Sequence, residues 1–238
     1  MATFETTLLK KEPIAKDTMA FTFEKPEGFE YKAGQFCDLI LVNSTELGEG
    51  ANVHTFSFVS EPNDDVLVLA TRLRDSAYKR ELKDLSEGTV VKIKGPFGHY
   101  KLHKTETTPA VFVIGGIGIT PVKGIITDAT HKRLPHDITL LYSNRYPDDA
   151  AFLEEFKQLA QENEHFQFVP VMTKADADKW DGERGHIDAD MLKKYVSDVS
   201  EPIYYLSGPP GMVQAMYEML VEAGANEDNI RAEEFGGY

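Results

Sequence analysis

The run Val111-Phe-Val-Ile-Gly-Gly-Ile-Gly-Ile-Thr-Pro121 constrains this chain more than any other stretch. Four apolar, mostly β-branched residues read as a strand buried on both faces. Gly115, Gly116 and Gly118 follow at once, and Pro121 then opens a helical pattern, in the first turn where its missing N–H costs nothing. A strand, a glycine turn and a helix start bring free backbone N–H groups and the positive end of a helix dipole to one spot, which suits an anion. The spacing is neither Gly-x-Gly-x-x-Gly nor a P-loop. Taken alone, the run is either a phosphate cradle or an idle tight turn.

Its surroundings narrow the choice. Beyond the polar stretch His103–Pro109, strand patterns (Val111–Ile114, Ile138–Tyr142, Phe166–Val171, Ile203–Leu206, Asn229–Glu233) alternate with helical ones (Pro121–His131, Ala150–Glu162, Asp188–Tyr195, Gly211–Ala223). Alternation of this kind predicts an open parallel sheet with helices on both faces and ligands at the carboxyl ends of its strands. Those ends read Gly115–Thr120, Ser143-Asn144-Arg145, Ser207-Gly208-Pro209-Pro210-Gly211-Met212 and Glu234–Tyr238. Small residues, hydroxyls and one arginine fork are what a phosphate-rich ligand needs. Arg145 by itself reads equally well as a surface arginine.

The first hundred residues have a different character. Runs at Phe4–Leu9, Thr18–Glu24, Gln35–Val42, His54–Val59, Val66–Leu73 and Thr89–Lys94, punctuated by Gly, Pro, Asn and Asp, predict an antiparallel barrel or sandwich. One helical piece interrupts them at Tyr78–Leu85. The expected division is residues 1–104, an antiparallel β-barrel, and 105–238, an α/β parallel-sheet domain. His54-Thr55-Phe56-Ser57 sets an aromatic beside a hydroxyl, able to stack on a flat ring and bond its edge. Phe56 and Phe58 also read as alternating core residues. Thr71-Arg72-Leu-Arg74, followed by Asp75-Ser76-Ala77-Tyr78-Lys79-Arg80, offers cations and a helix start to a diphosphate, or is a solvated charge run.

Composition excludes several classes. A formal net charge of −14 opposes nucleic-acid binding, which rewards basic patches. No apolar stretch approaches the ~20 residues of a membrane span. The first residues show neither a basic nor an apolar signal region, so a cytoplasmic location is expected. The single cysteine, Cys37, excludes an internal disulfide and a four-thiolate iron–sulfur cluster, and no metal site is expected.

Together these pieces resemble the ferredoxin–NADP reductase-like flavoprotein family over almost the whole chain. Its flavin motif, Arg-x-Tyr-Ser/Thr, is similar to His54–Ser57; Gly-Gly-x-Gly-x-Thr/Ser-Pro is matched in full by Gly115–Pro121; Cys-Gly-Pro-Pro-x-Met is similar to Ser207–Met212; the Gly95-Pro-Phe-Gly98 turn is also typical. The resemblance implies FAD in preference to FMN, and NADP(H) or NAD(H), with Ser143 and Arg145 leaning toward the former. It implies that Phe56 lies against the flavin and Ser57 near its N5, with His54, Thr55, Thr71, Arg72 and Ser76 to Lys79 about the FAD. Gly115 to Pro121, Ile119 and Thr120 among them, and Gly208, Pro209, Pro210 and Met212 are expected around the nicotinamide nucleotide. Ser143, Asn144 and Arg145 are expected at its adenosine end and Ser207 near the nicotinamide. Glu234 and Tyr238 resemble the acidic residue and the flavin-covering aromatic at the carboxyl end of some members.

Three positions depart from the motifs: His54 stands for arginine, Phe56 for tyrosine and Ser207 for cysteine. The first makes diphosphate binding weaker or pH-dependent, with Arg72 or Lys79 placed to compensate. The expected activity is hydride transfer from NAD(P)H to FAD, with electrons passed to a separate acceptor, a ferredoxin- or flavodoxin-type carrier. The alternatives are a reductase of free flavin or quinone, and an electron-transfer subunit without independent turnover. The acidic balance disfavours docking of an acidic carrier unless Arg72, Arg74, Lys79 and Arg80 form a local basic patch.

Overall fold

The computed structural model describes residues 2–42, 47–48, 50–176 and 178–236. Two compact units are present, Met1–Lys101 with Thr120–Asp128, and Leu102–Ile119 with Ala129–Tyr238.

The first unit is antiparallel. Its strands are β1 (Thr3–Ala15), β2 (Thr18–Glu24), β3 (Phe36–Ile40), β4 (Val53–Ser57), β5 (Val66–Arg72) and β6 (Val90–Phe97), in the spatial order β4-β3-β6-β1-β2-β5. A bridge between Phe58 and Leu69 links the two edges and closes the sheet on itself. Alternation along the strands turns Leu8, Phe21, Phe23, Leu39, Leu67 and Leu69 inward. Helix α1 (Ala77–Asp84) starts at Ser76, whose side chain accepts from Lys79 N, and buries Tyr78 and Leu82 in that core. Its far end is capped from β1: Lys11 Nζ donates to the carbonyls of Lys83 and Leu85 at 2.5 and 2.6 Å. Thr120–Asp128 joins this unit because Gly124 lets the backbone approach Phe58 and Ser60, whose carbonyls lie 3.1 and 3.2 Å from where a Cβ would be.

The second unit is a parallel sheet of β7 (Ala110–Gly115), β8 (Ile138–Asn144), β9 (Phe166–Met172), β10 (Glu183–Arg184), β11 (Ile203–Gly208) and β12 (Ile230–Glu234), ordered β10-β9-β8-β7-β11-β12. Helices α2 (Ile119–His131), α3 (Leu153–Glu162), α4 (Ala189–Tyr195) and α5 (Pro210–Glu222) alternate with the strands. Met191 and Leu192 of α4 and Val213 and Leu220 of α5 pack with Val111, Val113, Leu141, Val169 and Leu206 on one sheet face. The other face carries aromatics, with Phe112 stacked on Tyr205 at 4.5 Å.

Both fold classes agree with the sequence patterns. Three details differ. α3 begins at Leu153 rather than Ala150, because Phe152 holds a left-handed backbone with φ +61°. α2 begins two residues before Pro121, after a 3-10 turn over Gly116–Gly118. The two-residue strand β10 is too short to leave a periodic signal. The strand order adds what no periodicity carries: the chain moves outward from β7 through β10 and returns beside β7 with β11, so the sheet reverses direction between β7 and β11. Ligands of open parallel sheets sit at such a reversal, beyond the carboxyl ends of the strands.

Candidate functional site

Each unit holds its own cluster. In the first, alternation along β4 points His54 and Phe56 to one face and Thr55 to the other, where Thr55 donates to Asp38 at 2.8 Å. The His54 ring lies 5.5 Å from Phe56 and 5.1 Å from Tyr78, and Phe56 and Tyr78 are 6.2 Å apart. Phe56 is 3 % exposed and belongs to the core, and Ser57 beside it is buried as well. Tyr78 is fixed by its hydroxyl, which donates to Leu39 O at 2.9 Å. Thr71 is fully buried at the end of β5, and Arg72 is the last residue of that strand.

Ser76 caps α1, and the Ala77 and Tyr78 amides, first in the helix, have no intrahelical acceptor. Lys79 is buried, and burial, followed by the charge of Arg74, lowers its ammonium to about 8. Burial and the Lys79 charge in turn lower His54. Arg80 is drawn off to Asp75 in a surface ion pair. A buried ammonium next to a capped helix start and a neutral imidazole is a donor set that gains from a dianionic diphosphate, so these residues fit FAD.

In the second unit the glycine turns after β7 and β11 interlock. A Cβ on Gly118 would stand 2.6 Å from Gly208 N and from Ser207 C and O. One on Gly208 would stand 3.1 Å from Gly115 O, and one on Gly115 would run into Met212 Sδ. The glycines expected to clear space for a pyrophosphate thus clear space for each other. Met212 packs against Gly115, and Tyr142 OH donates to Gly116 O at 3.1 Å. Pro209 is the N-cap of α5 and Pro210 its first residue. Ile119 and Thr120 are buried at the start of α2, just ahead of Pro121.

Three polar groups at these strand ends are buried without a hydrogen-bond partner: Ser207 Oγ, Glu233 Oε2 and both side-chain heteroatoms of Asn144. Orphaned polar atoms gathered at the reversal of a parallel sheet fit a nucleotide that supplies the missing bonds. Ser143 is half-buried beside Asn144, and Arg145 is exposed.

Glu234 is exposed and pairs with Gly208, whereas Glu233 pairs with Ser207. Burial raises the Glu233 carboxyl to about 7. The sequence patterns missed Glu233, because only the β11–β12 register reveals which of two adjacent glutamates faces Ser207. Tyr238 lies outside the described residues. Among the described residues, no cluster of His, Cys, Asp or Glu is placed to hold a metal, and no helix is long and apolar enough to cross a membrane.

Residues 3–120 match the model of an FAD-binding domain, and residues 112–218 that of an oxidoreductase NAD-binding domain. In Pseudoalteromonas atlantica, a subunit of the Na(+)-translocating NADH-quinone reductase is 34 % identical over 195 residues, 79 % of this chain and 46 % of that protein. The corresponding Klebsiella pneumoniae protein is 35 % identical over 159 residues, 64 % of this chain and 39 % of that protein. The chain thus spans less than half the length of these curated relatives. Among solved structures, the Amycolatopsis cytochrome P450 reductase GcoB superposes with a TM-score of 0.83 at 26 % identity, over 98 % of this chain and 70 % of that one. A Neisseria gonorrhoeae ferredoxin NADP+ reductase with bound FAD and NADP has the same fold, with a TM-score of 0.82 at 22 % identity over 98 % of each chain. The chain belongs to the ferredoxin–NADP reductase-like flavoproteins, oxidoreductases that bind FAD and a nicotinamide nucleotide.

Proposed function

We propose that this chain is the NADH-oxidising flavin module of an electron-transfer system, delivering electrons to a quinone or a partner redox centre rather than to a ferredoxin. The observation that carries the reading is the orphaned Ser207–Glu233 pair beside two interlocked glycine turns at the sheet reversal. The relatives' names, NADH-quinone reductase subunits, support the donor and the class of acceptor. The −14 charge supports the same choice, since it repels an acidic carrier.

In this reading residues 1–104 bind FAD and residues 105–238 bind the nicotinamide nucleotide. Bound FAD supplies the hydride-accepting chemistry and passes electrons on. The protein's part is to place and shield. Lys79 would supply the charge opposite the diphosphate, and the α1 amides and the His54 ring N–H would donate hydrogen bonds to it. Ser57, buried at the end of β4, would hydrogen-bond the flavin, and Phe56 acts from the core by fixing His54 and Tyr78 rather than as an open stacking face. The Gly115–Thr120 turn and the start of α5 hold the nucleotide's pyrophosphate. Asn144 and Arg145 meet its adenosine end. Ser207 offers its hydroxyl to the nicotinamide carboxamide, and Glu233 beside it gains and loses its proton near neutral pH.

The test is an acceptor panel with FAD-loaded protein and NADH: a soluble quinone, a ferredoxin, free FMN and ferricyanide. Quinone turnover at least tenfold above ferredoxin turnover is expected. Ferredoxin reduced faster than quinone overturns the acceptor assignment, and ferricyanide reduction without quinone turnover shifts it to a partner redox centre.

A further inference from the structure

Arg231 and Glu233 alternate along β12, so both point to the sheet face that carries Tyr205 and Ser207, their register partners on β11. A half-buried carboxylate two residues along the same strand face from an arginine is placed to pair with it. Here it does not. Arg231 Nη1 donates to Tyr205 OH at 2.9 Å, and its Cζ lies 5.2 Å from the centre of the Tyr205 ring. Glu233 Oε2 is buried and accepts no hydrogen bond.

The tyrosine is itself held on every side. Its ring stacks on Phe112 at 4.5 Å and an interplanar angle of 16°. Its oxygen accepts from His103 N at 2.9 Å and lies 3.1 Å from His103 Nδ1. His103 Nε2 is 2.8 Å from Thr108 O, a carbonyl that can only accept, so Nε2 carries the hydrogen and Nδ1 is left to accept from the tyrosine hydroxyl. That hydroxyl thus donates once and accepts twice, with Arg231 occupying the second lone pair. His136 completes the arrangement by donating through Nε2 to His103 O at 3.0 Å.

We propose that Tyr205 is a positioning residue whose hydroxyl and ring hold the Arg231 guanidinium away from Glu233, keeping that carboxyl without an ionic partner. The assignment of Glu233 to the nicotinamide site rests on the function proposed above; the restraint of Arg231 does not. Among the described residues, the titratable and charged groups on this side are Arg231 on Glu233's own strand, Tyr205 on β11, His103 from the segment before β7 and His136 before β8. Burial is the cause that raises Glu233. An arginine released toward Glu233 would draw the carboxyl down.

The test is a carboxyl ¹³C NMR titration of the FAD-loaded 238-residue chain, with Glu233 assigned by E233Q. In the parent protein the midpoint is expected near 7. Y205F should lower it by at least one pH unit, and Y205F/R231M should restore it. An unchanged midpoint in Y205F overturns the proposal. R231M alone gives an independent arm should Y205F fail to fold: a midpoint held near 7 supports the restraint, and a rise shows that the guanidinium already acted on Glu233. Failure of the functional reading is distinguishable, because E233Q would then leave NADH turnover and its pH profile unchanged while the titration midpoints behave as stated.

Discussion

Ser207 and Glu233 stand side by side across the β11–β12 ladder, and neither Ser207 Oγ nor Glu233 Oε2 has a hydrogen-bond partner. The pair therefore costs stability that only a ligand, or a proton, relieves. A carboxyl raised in the folded state to about 7 binds its proton more tightly than in the unfolded chain, where its pKa is about 4.3. Its stabilising proton is in place below the unfolded value and is lost as pH rises through 7. Urea unfolding should show the parent protein losing on the order of 2 kcal/mol between pH 5 and pH 8 from this group, and E233Q abolishing that slope. Parallel pH profiles for the two proteins would count against a buried, unpartnered Glu233.

Lys79 makes a separate pH prediction, for FAD. Its ammonium is lowered to about 8 by burial and by Arg74, and a bound diphosphate favours the charged form. FAD affinity should fall about tenfold between pH 7 and pH 9, as the free protein sheds that proton before binding. K79M should weaken FAD at pH 7 and remove the alkaline loss. The readout is the quenching of flavin fluorescence on titrating apoprotein. A Kd flat to pH 9 in the parent protein would place the diphosphate away from Lys79.

Gly118 and Gly211 separate packing from permissiveness. A Cβ on Gly118 meets backbone of Ser207 and Gly208, which cannot swing aside, whereas one on Gly211, in the first turn of α5, meets nothing within 4 Å. G118A should destabilise by roughly 3 kcal/mol and loosen the joint between the two turns. G211A should be neutral or stabilising by up to about 1 kcal/mol, from helix propensity alone. Thermal unfolding of the two variants decides the point, and equal midpoints would contradict the interlock.

The two fold classes were legible because the hydrophobic period changes abruptly near His103–Pro109, from the two-residue alternation of Thr18–Glu24 to the continuous run of Val111–Ile114. The helix start near Ser76 and the Gly115–Pro121 turn were legible from local chemistry, whereas the capping role of Ser76 came with the structure. What the sequence could not carry is register and order. Glu233 and Glu234 look alike in a string, and only pairing with Ser207 tells them apart. The adjacency of β7 and β11, separated by some ninety residues, comes from the return of the chain across the sheet. The reason for the glycines also differs from the one the motif suggests: Gly118 is small because Gly208 is there.

Electrons are proposed to enter this chain from a nicotinamide nucleotide through a bound flavin. An anaerobic titration of the FAD-loaded protein with NADH, and separately with NADPH, tests this most directly by absorbance in the flavin bands. Complete bleaching by about one equivalent of NADH is predicted, with NADPH slower. Flavin bands that persist in excess of both nucleotides would contradict that entry route and leave the chain a flavin-binding protein that does not oxidise them.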